Sequence, residues 1–313
     1  MNVRAAELIA AIVANPKDNG AWHVYADWLL ERGDVRGELI RIAALAAAGD
    51  VDAFWRIQLI QTNDEEKLLS PRLFSHTHHW EFGWHRGFIH RASLRQVHES
   101  GEPFDPDALA ALTEDPHAGL LSVLVLCPPY RDLDIGDELS SFHHLDHLSL
   151  SGVSVAALQS DRLHTLETDE TSCRGAITGA WHVPALTDLD WSHTNDDSDL
   201  FTAPTSFLSR PPPRLRKLTL SLDARSITRL AEARCLRQLD SLTLVVNSDE
   251  ALSVLRDHAS AFAMVPTISL PYLIPTQDLE VLQTLRTELE QLLPDTKLDV
   301  SWERLLHPRN LDE

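Results

Sequence analysis

Residues 215–220 read LRKLTL and residues 239–244 read LDSLTL, and this shared pattern decides the fold. Leucine occupies the first, fourth and sixth positions of both stretches. Successive side chains of a β-strand point to opposite faces, so the fourth and sixth positions form one apolar face. The spacing recurs at intervals of about 18 to 30 residues. Its other repeats are Leu121-Leu124-Leu126, Leu145-Leu148-Leu150, Leu163-Leu166-Thr168, Leu186-Leu189-Trp191 and Val265-Ile268-Leu270.

A strand of this kind cannot bury its apolar face alone, so the repeats are expected to stack. The period predicts an α/β fold, a leucine-rich-repeat solenoid in which a parallel β ladder alternates with helical or irregular returns. Residues 88–94 are expected to open the ladder and residues 298–300 to close it. Residues 276–293 are predicted to form a capping helix. Few asparagines follow the strands, so the exact register over residues 163–191 stays open.

A small all-α module is predicted to precede the repeats. Apolar residues recur at three- and four-residue steps over residues 3–14 and 20–32, and a third helix is expected up to Gly49. Asn15 ends the first helix because a residue before proline avoids the helical conformation, and Gly33 suits a left-handed C-cap. The predicted domains are a helical module at 1–48, a helical connector at 49–85 and a repeat domain with its cap at 86–313.

The N-terminal residues resemble a known module. The motifs that carry this resemblance are Asn15-Pro16, Tyr25-Ala26-Asp27-Trp28-Leu29, Glu31-Arg32-Gly33-Asp34, Arg36-Gly37-Glu38 and Ile40-Arg41. Together they resemble the repeat-companion domain, which occurs at the N-terminus of many myxobacterial and planctomycete proteins that carry repeats. Trp80-Glu81-Phe82 and Arg86-Gly87-Phe88-Ile89 are similar to the passage that leads into the repeats of such proteins. The resemblance implies a bacterial protein with this architecture and carries no activity with it.

Charge and cysteine content restrict the classes of partner. The chain has 47 acidic and 27 basic residues and a formal net charge of -20. This balance argues against binding nucleic acid or an anionic membrane, since both need clustered cations.

Three cysteines without a CxxC pair argue against disulfides or a thiolate zinc site and favour a reducing compartment. No apolar run reaches the length of a membrane span, so the cytoplasm is the expected location.

The N-terminal module carries a cluster of charges of alternating sign, which is a candidate docking patch. Its members are Asp27, Glu31, Arg32, Asp34, Arg36 and Glu38. The alternative is that these charges pair with one another and set the angle between the second and third helices. Exposed ion pairs contribute about 0–1 kcal/mol each, so such pairing orients the helices more than it stabilises them.

A second candidate site is an acidic patch on the concave face of the predicted array. The template points Glu167, Asp169, Asp188 and Asp190 outward from two neighbouring strands. The flanking strands would add Ser149 and Ser151 on one side and Lys217 and Thr219 on the other. Four carboxylates this close would attract a partner with a basic surface. One alternative is that these four acids only reflect the acidic composition of the whole chain. The other is that their oxygens hold a divalent cation.

Catalytic motifs are not found in the sequence. It contains no phosphate-binding glycine loop, no nucleophile elbow and no HExxH motif. The expected function is therefore that of a non-catalytic scaffold or adaptor that binds a protein and needs no cofactor. One alternative is a regulatory or sensor subunit of a larger complex. The other is a metal-assisted hydrolase that uses a histidine cluster, because histidine is a common metal ligand. The cluster consists of His76, His78, His79, His85 and His90.

Overall fold

The computed structural model contains an N-terminal helical segment and a large, mostly parallel β-sheet, as the α/β expectation requires. The residues that it describes are 3–63, 65–94, 105–127, 133–169, 180–193, 210–246, 248–271 and 279–300. They divide into two compact units. Unit 1 consists of Met1–Leu133 and Asp137–His147, and unit 2 consists of Asp134–Gly136 and Leu148–Glu313. None of the helices described is both long and apolar enough to cross a lipid bilayer.

Unit 1 begins with four helices whose ends follow local chemistry. Asp18 and Asp34 cap the second and third helices, since each carboxylate accepts a hydrogen bond from the backbone N–H two residues later. Gly33 has a φ of 70°, which confirms the predicted left-handed residue after the second helix. The α-helices within the described residues are α1 (Val3–Ala14), α2 (Asn19–Leu30), α3 (Val35–Ala47), α4 (Val51–Asn63), α5 (Glu65–Leu68), α6 (Pro71–Phe74), α7 (Pro106–Glu114), α8 (Gly136–Leu139), α9 (Ala224–Ala231), α10 (Asp249–Asp257), α11 (Ala259–Phe262) and α12 (Leu279–Leu292).

Fourteen strands are described. They are β1 (Trp80–His85), β2 (Phe88–Leu94), β3 (Val123–Leu126), β4 (Leu133–Asp134), β5 (His147–Leu150), β6 (Val153–Ser154), β7 (Leu158–Gln159), β8 (Thr165–Asp169), β9 (Trp181–His182), β10 (Asp188–His193), β11 (Lys217–Leu222), β12 (Ser241–Val246), β13 (Thr267–Ser269) and β14 (Lys297–Asp299). In unit 1, β1 pairs antiparallel with β2, and β2 pairs parallel with β3. The connector predicted to be helical up to residue 85 therefore ends in a strand. Its aromatic residues suit a strand, and β2 supplies the hydrogen-bonding partner that a local pattern does not reveal.

The helices of unit 1 share a core with the β1–β2 hairpin. Phe88 stacks on Tyr25 with ring centroids 5.7 Å apart and lies 6.0 Å from the ring of Trp22. The guanidinium of Arg86 lies 4.9 Å from the ring centroid of Trp22 and donates a hydrogen bond of 2.9 Å to Asn19. The two segments that resemble the companion module and its lead-in passage thus pack directly against each other. Trp22 and Tyr25 of the helical module therefore pack on β2, which lies where the ladder was expected to open.

Unit 2 contains a run of parallel strands in chain order. The order is β8-β10-β11-β12-β13-β14, and each strand pairs with the next. Leu218 and Leu242 are register partners and are 1% and 0% exposed, while the Lys217 side chain is 66% exposed. The strand register predicted from the leucine pattern is therefore confirmed at these positions. Helices α9 and α10 lie between successive strands, where helical or irregular returns were expected, and are capped by Asp223 and Ser248.

Candidate binding face

Two rows of polar side chains cross the parallel strands of unit 2 and define what we call the polar face. The first row consists of Thr165, Asp188, Lys217, Ser241, Thr267 and Lys297. The second row consists of Glu167, Asp190, Thr219, Thr243, Ser269 and Asp299. Within each row, consecutive members are register partners on neighbouring strands. All twelve side chains are at least partly exposed.

The leucine pattern itself creates these rows. In β11, for example, Lys217 and Thr219 alternate with the buried Leu218 and Leu220, so the two polar residues share the opposite face. Adjacent strands are about 4.8 Å apart, so six strands give each row a length of about 24 Å. Sequence reasoning identified five of these positions, Glu167, Asp188, Asp190, Lys217 and Thr219, but did not extend the rows to β12, β13 and β14. The same template, applied to each repeat, would have found them.

The two rows differ in electrostatic character. In the first row, the ammonium of Lys217 lies 2.8 Å from a carboxylate oxygen of Asp188. Partial burial would raise the pKa of Asp188, but hydrogen bonds from Lys217 and Thr187 outweigh it and lower the pKa. The same contact raises the pKa of Lys217, so both groups are charged at neutral pH. The second row combines hydroxyl groups with the carboxylates of Glu167, Asp190 and Asp299, so the negative charge of the face is concentrated there.

Asp169 does not lie on the polar face, and its predicted outward placement is wrong. It is 2% exposed and accepts hydrogen bonds from the Ser151 hydroxyl at 3.0 Å and the Gly152 backbone N–H. The segment after β5 covers this carboxylate, and the register between β8 and β10 shifts at the same point. Glu167 pairs with Asp190, whereas Asp169 pairs with His193, so β10 contains one extra residue over this interval. The carboxylate therefore serves to hold the chain after β5 and does not form part of a surface patch.

The candidate docking patch of unit 1 is engaged in ion pairs within the chain. Its acids pair with basic residues of α3, of α4 or of the turn after α2, and the pairs are Asp34 with Arg36, Asp27 with Arg41, Glu38 with Arg56, and Glu31 with Arg32. The guanidinium of Arg32 also lies 4.0 Å from the ring centroid of Trp28. Burial would raise the pKa of Asp34, but its hydrogen bonds and proximity to Arg36 lower it overall. This pairing favours the reading in which the charges orient α2, α3 and α4.

The structure divides the histidine cluster into two groups. His79 contacts the rings of His76 and His78, with centroids 6.1 and 3.9 Å apart. His85 lies 6.0 Å from His90, and its pKa is lowered by burial and by the nearby Arg86. Among the residues that the structure describes, no group of three or more histidine, cysteine, aspartate or glutamate side chains could hold a metal ion. A hydrolase based on these histidines therefore has no metal centre among the described residues.

Cys127 and Cys235 are thiols that form no disulfide among the described residues. Burial raises the pKa of Cys235 to about 11, so it is not a nucleophile at neutral pH. Cys173 lies outside the described residues.

Unit 1 also contains a cavity that sequence reasoning did not identify. It has a volume of about 590 Å³, and its walls include Tyr25, Trp28, Arg36, Asp115 and Phe142. The indole Nε1 of Trp28 is buried there without a hydrogen-bonding partner among the described residues. The wall residues come from segments far apart in the chain, and no local pattern connects them.

Comparison with known proteins adds little to these observations. No family model matches the chain, and no curated protein matches it. A crystal structure of a protein from Bacteroides fragilis is similar, with 18% sequence identity and a TM-score of 0.36 over 59% of this chain and 48% of that one. The match thus spans about half the length of the Bacteroides protein. The resemblance of the N-terminal residues to the repeat-companion domain stays a prediction.

Proposed function

We propose that this chain is a leucine-rich-repeat protein that binds a protein partner through its polar face and acts as a non-catalytic scaffold or adaptor. One observation carries the proposal: two rows of partly exposed polar side chains stay in register across six parallel strands. Repeat proteins use extended sheet surfaces of this kind for recognition. A face about 24 Å long offers many separate hydrogen-bonding groups, which suits a macromolecule better than a small ligand.

The charge of the second row indicates the kind of partner. Asp190 and Glu167 are register partners on adjacent strands, so two carboxylates lie close together on the polar face. A basic protein surface would be attracted to them, and its binding would weaken steeply with salt. A regulatory or sensor subunit could use the same face, so that alternative differs only in what the partner does. The hydrolase alternative is not favoured, because the described residues supply no metal ligand set.

The proposal is tested by removing two charges from the polar face. Partners are captured by crosslinking from cells that express the chain, and the recovered protein is then titrated against purified variants. We expect Asp188→Ser combined with Asp190→Ser to weaken binding at least tenfold, about 1.4 kcal/mol. The matched control is Glu232→Ser combined with Asp257→Ser, which removes two exposed acids from the returns and should bind like the original chain. Equal affinity of both double variants would refute the proposal.

A further inference from the structure

Helix α4 of unit 1 carries apolar residues on opposite sides. Its inner side contains the buried Ala53 and the half-buried Ile57 and Ile60, which lie four and seven residues later. Val51, Trp55 and Leu59 follow one another at four-residue steps, and their helical angles place them on the other side. Their side chains are 64%, 63% and 61% exposed. An apolar stripe of three large residues therefore faces away from the core that the inner side contacts.

An apolar stripe on a helix normally faces a core, and α4 carries this second stripe in addition to its inner side. Phe54 extends the stripe, since its ring is 49% exposed and lies edge-to-face with Trp55 at a centroid distance of 5.5 Å. Together the four side chains expose roughly 500 Å² of mostly apolar surface, which is near the upper end of the largest patches on monomeric proteins. Scattered exposed leucines need no explanation, but a continuous patch of this size marks an interaction surface.

We propose that this stripe of α4, formed by Val51, Phe54, Trp55 and Leu59, is the interface through which two copies of this chain form a dimer. A two-fold interface must be self-complementary, because the same surface is presented by both copies. The stripe meets that condition, since Val51 and Leu59 lie four residues on either side of Trp55. If two α4 helices pack antiparallel with the two-fold axis at Trp55, then Val51 contacts Leu59 of the partner subunit and the two tryptophans meet at the centre.

The polar residues of α4 are compatible with this pairing. About the same axis, Asp52 lies opposite Gln58 of the partner subunit, so no like charges meet. Arg56 lies opposite Phe54 of the partner subunit and is already paired with Glu38 of its own chain. A standard interface buries about 800 Å² per partner. The apolar stripe supplies roughly 500 Å² of this, and the exposed rim formed by Asp52, Gln58 and Thr62 surrounds it.

Net charge gives this dimer a distinctive salt dependence. Each copy has a formal charge of -20, so two copies repel each other at low ionic strength. Salt screens this repulsion over about 10 Å at 0.1 M and does not weaken an apolar contact. The dimer should therefore become tighter as salt is added. A basic partner on the polar face should show the opposite trend, so the two proposals can fail independently.

The first experiment measures the mass of the full chain by sedimentation velocity over a range of concentration and salt. We expect a monomer–dimer equilibrium that shifts toward the dimer in higher salt. Trp55→Glu should weaken dimerisation at least about tenfold and leave the circular dichroism spectrum unchanged, because Trp55 is exposed. The control is Val24→Glu, which places the same charge at a 50% exposed apolar residue of α2 and should leave the dimer intact. A chain that stays monomeric at every salt concentration, or a Trp55→Glu variant that still dimerises, would overturn the proposal.

A second experiment tests the antiparallel geometry. Val51→Cys and Leu59→Cys proteins are mixed and treated with a short bifunctional thiol reagent, with the original chain as the control for its own cysteines. Crosslinking between the two different variants should clearly exceed crosslinking of either variant with itself, because Val51 faces Leu59 of the partner subunit. Equal yields in all three samples would show that the helices do not pair in this way and would refute the proposed interface.

Discussion

At the scale of single residues, Asp115 shows how a buried carboxylate can organise unit 1. It is 3% exposed and accepts hydrogen bonds of 2.8 Å from the backbone N–H groups of Ser70 and His117. The His117 ring nitrogen Nδ1 also lies 2.8 Å from this carboxylate. Burial alone would raise the pKa of Asp115, but these hydrogen bonds lower it below its usual value. The ionised form is therefore the one that the folded chain selects.

This gives a prediction for pH dependence. A carboxylate with a lowered folded-state pKa stabilises the fold above its unfolded pKa of about 3.9, and this stabilisation is lost as the pH falls through the folded-state value. Asp115→Asn should lower the free energy of unfolding by about 1–3 kcal/mol at neutral pH, because it leaves buried donors unsatisfied. The difference from the original chain should shrink below about pH 4. Urea unfolding at neutral and acidic pH measures both effects, and a constant difference would contradict the assigned role.

A second residue-scale prediction concerns the strand register. Leu218 is 1% exposed, so Leu218→Asp buries an unpaired carboxylate and should cost about 4 kcal/mol or more in the free energy of unfolding. The control is the neighbouring Lys217→Ser, which removes only the exposed ion pair with Asp188 and should cost at most about 1 kcal/mol. Chemical denaturation of the two variants gives the comparison. Similar losses would mean that the inward and outward positions have been exchanged.

At the scale of elements, the β1–β2 turn connects the hairpin to the helices of unit 1. Arg86 and Gly87 both have positive φ values, 52° and 82°, as the tightest hairpin turns require. A Cβ at position 87 would lie 3.0 Å from the Cβ and Cδ1 of Leu39 on α3. The glycine is therefore needed twice, once for its backbone conformation and once for the close approach of the helix.

These two requirements can be separated experimentally. Gly87→Ala should lower the free energy of unfolding by about 2–4 kcal/mol, since it adds a steric clash to the backbone strain. Gly33→Ala is the control, because Gly33 also has a positive φ of 70° but has no atom within 4 Å of the added Cβ. In that variant, backbone strain alone should lower the free energy of unfolding, by about 1–2 kcal/mol. If both variants lower the free energy of unfolding by the same amount, the close approach of the turn to α3 adds no steric cost at position 87.

At the scale of the whole molecule, the N-terminal helices and the hairpin of unit 1 depend on one core. Leu8, Trp22, Tyr25 and Phe88 belong to the same buried cluster, and only Phe88 lies outside residues 1–48. Deletion of residues 1–48 should therefore expose Phe88 and reduce both solubility and the melting temperature. Differential scanning fluorimetry and light scattering check this result. A truncated chain that was as soluble and as stable as the full chain would instead identify these residues as an independent docking module.

Much of the fold could be predicted from the sequence because its signals are local. The alternation around Leu218 and Leu242 identified the buried face of two strands, since that periodicity follows from strand geometry alone. The end of α1 before Pro16 and the left-handed Gly33 follow equally from the conformational limits of single residues. The outward placement of Lys217 and Asp190 on the polar face could be predicted in the same way.

Other features depended on pairing between distant segments, and only the tertiary structure decided them. The strand β1 was not predicted, because its partner β2 defines it through hydrogen bonds that span a turn. Asp169 is buried against Ser151 and Gly152, which follow a different strand, and the register between β8 and β10 shifts at the same point. Neither feature leaves a trace in the alternating pattern of β8 itself. Likewise, Asp188 meets Lys217 only across a strand boundary. The sequence by itself determined which face of each strand is apolar, and the neighbouring strand determined which charges meet on the other face.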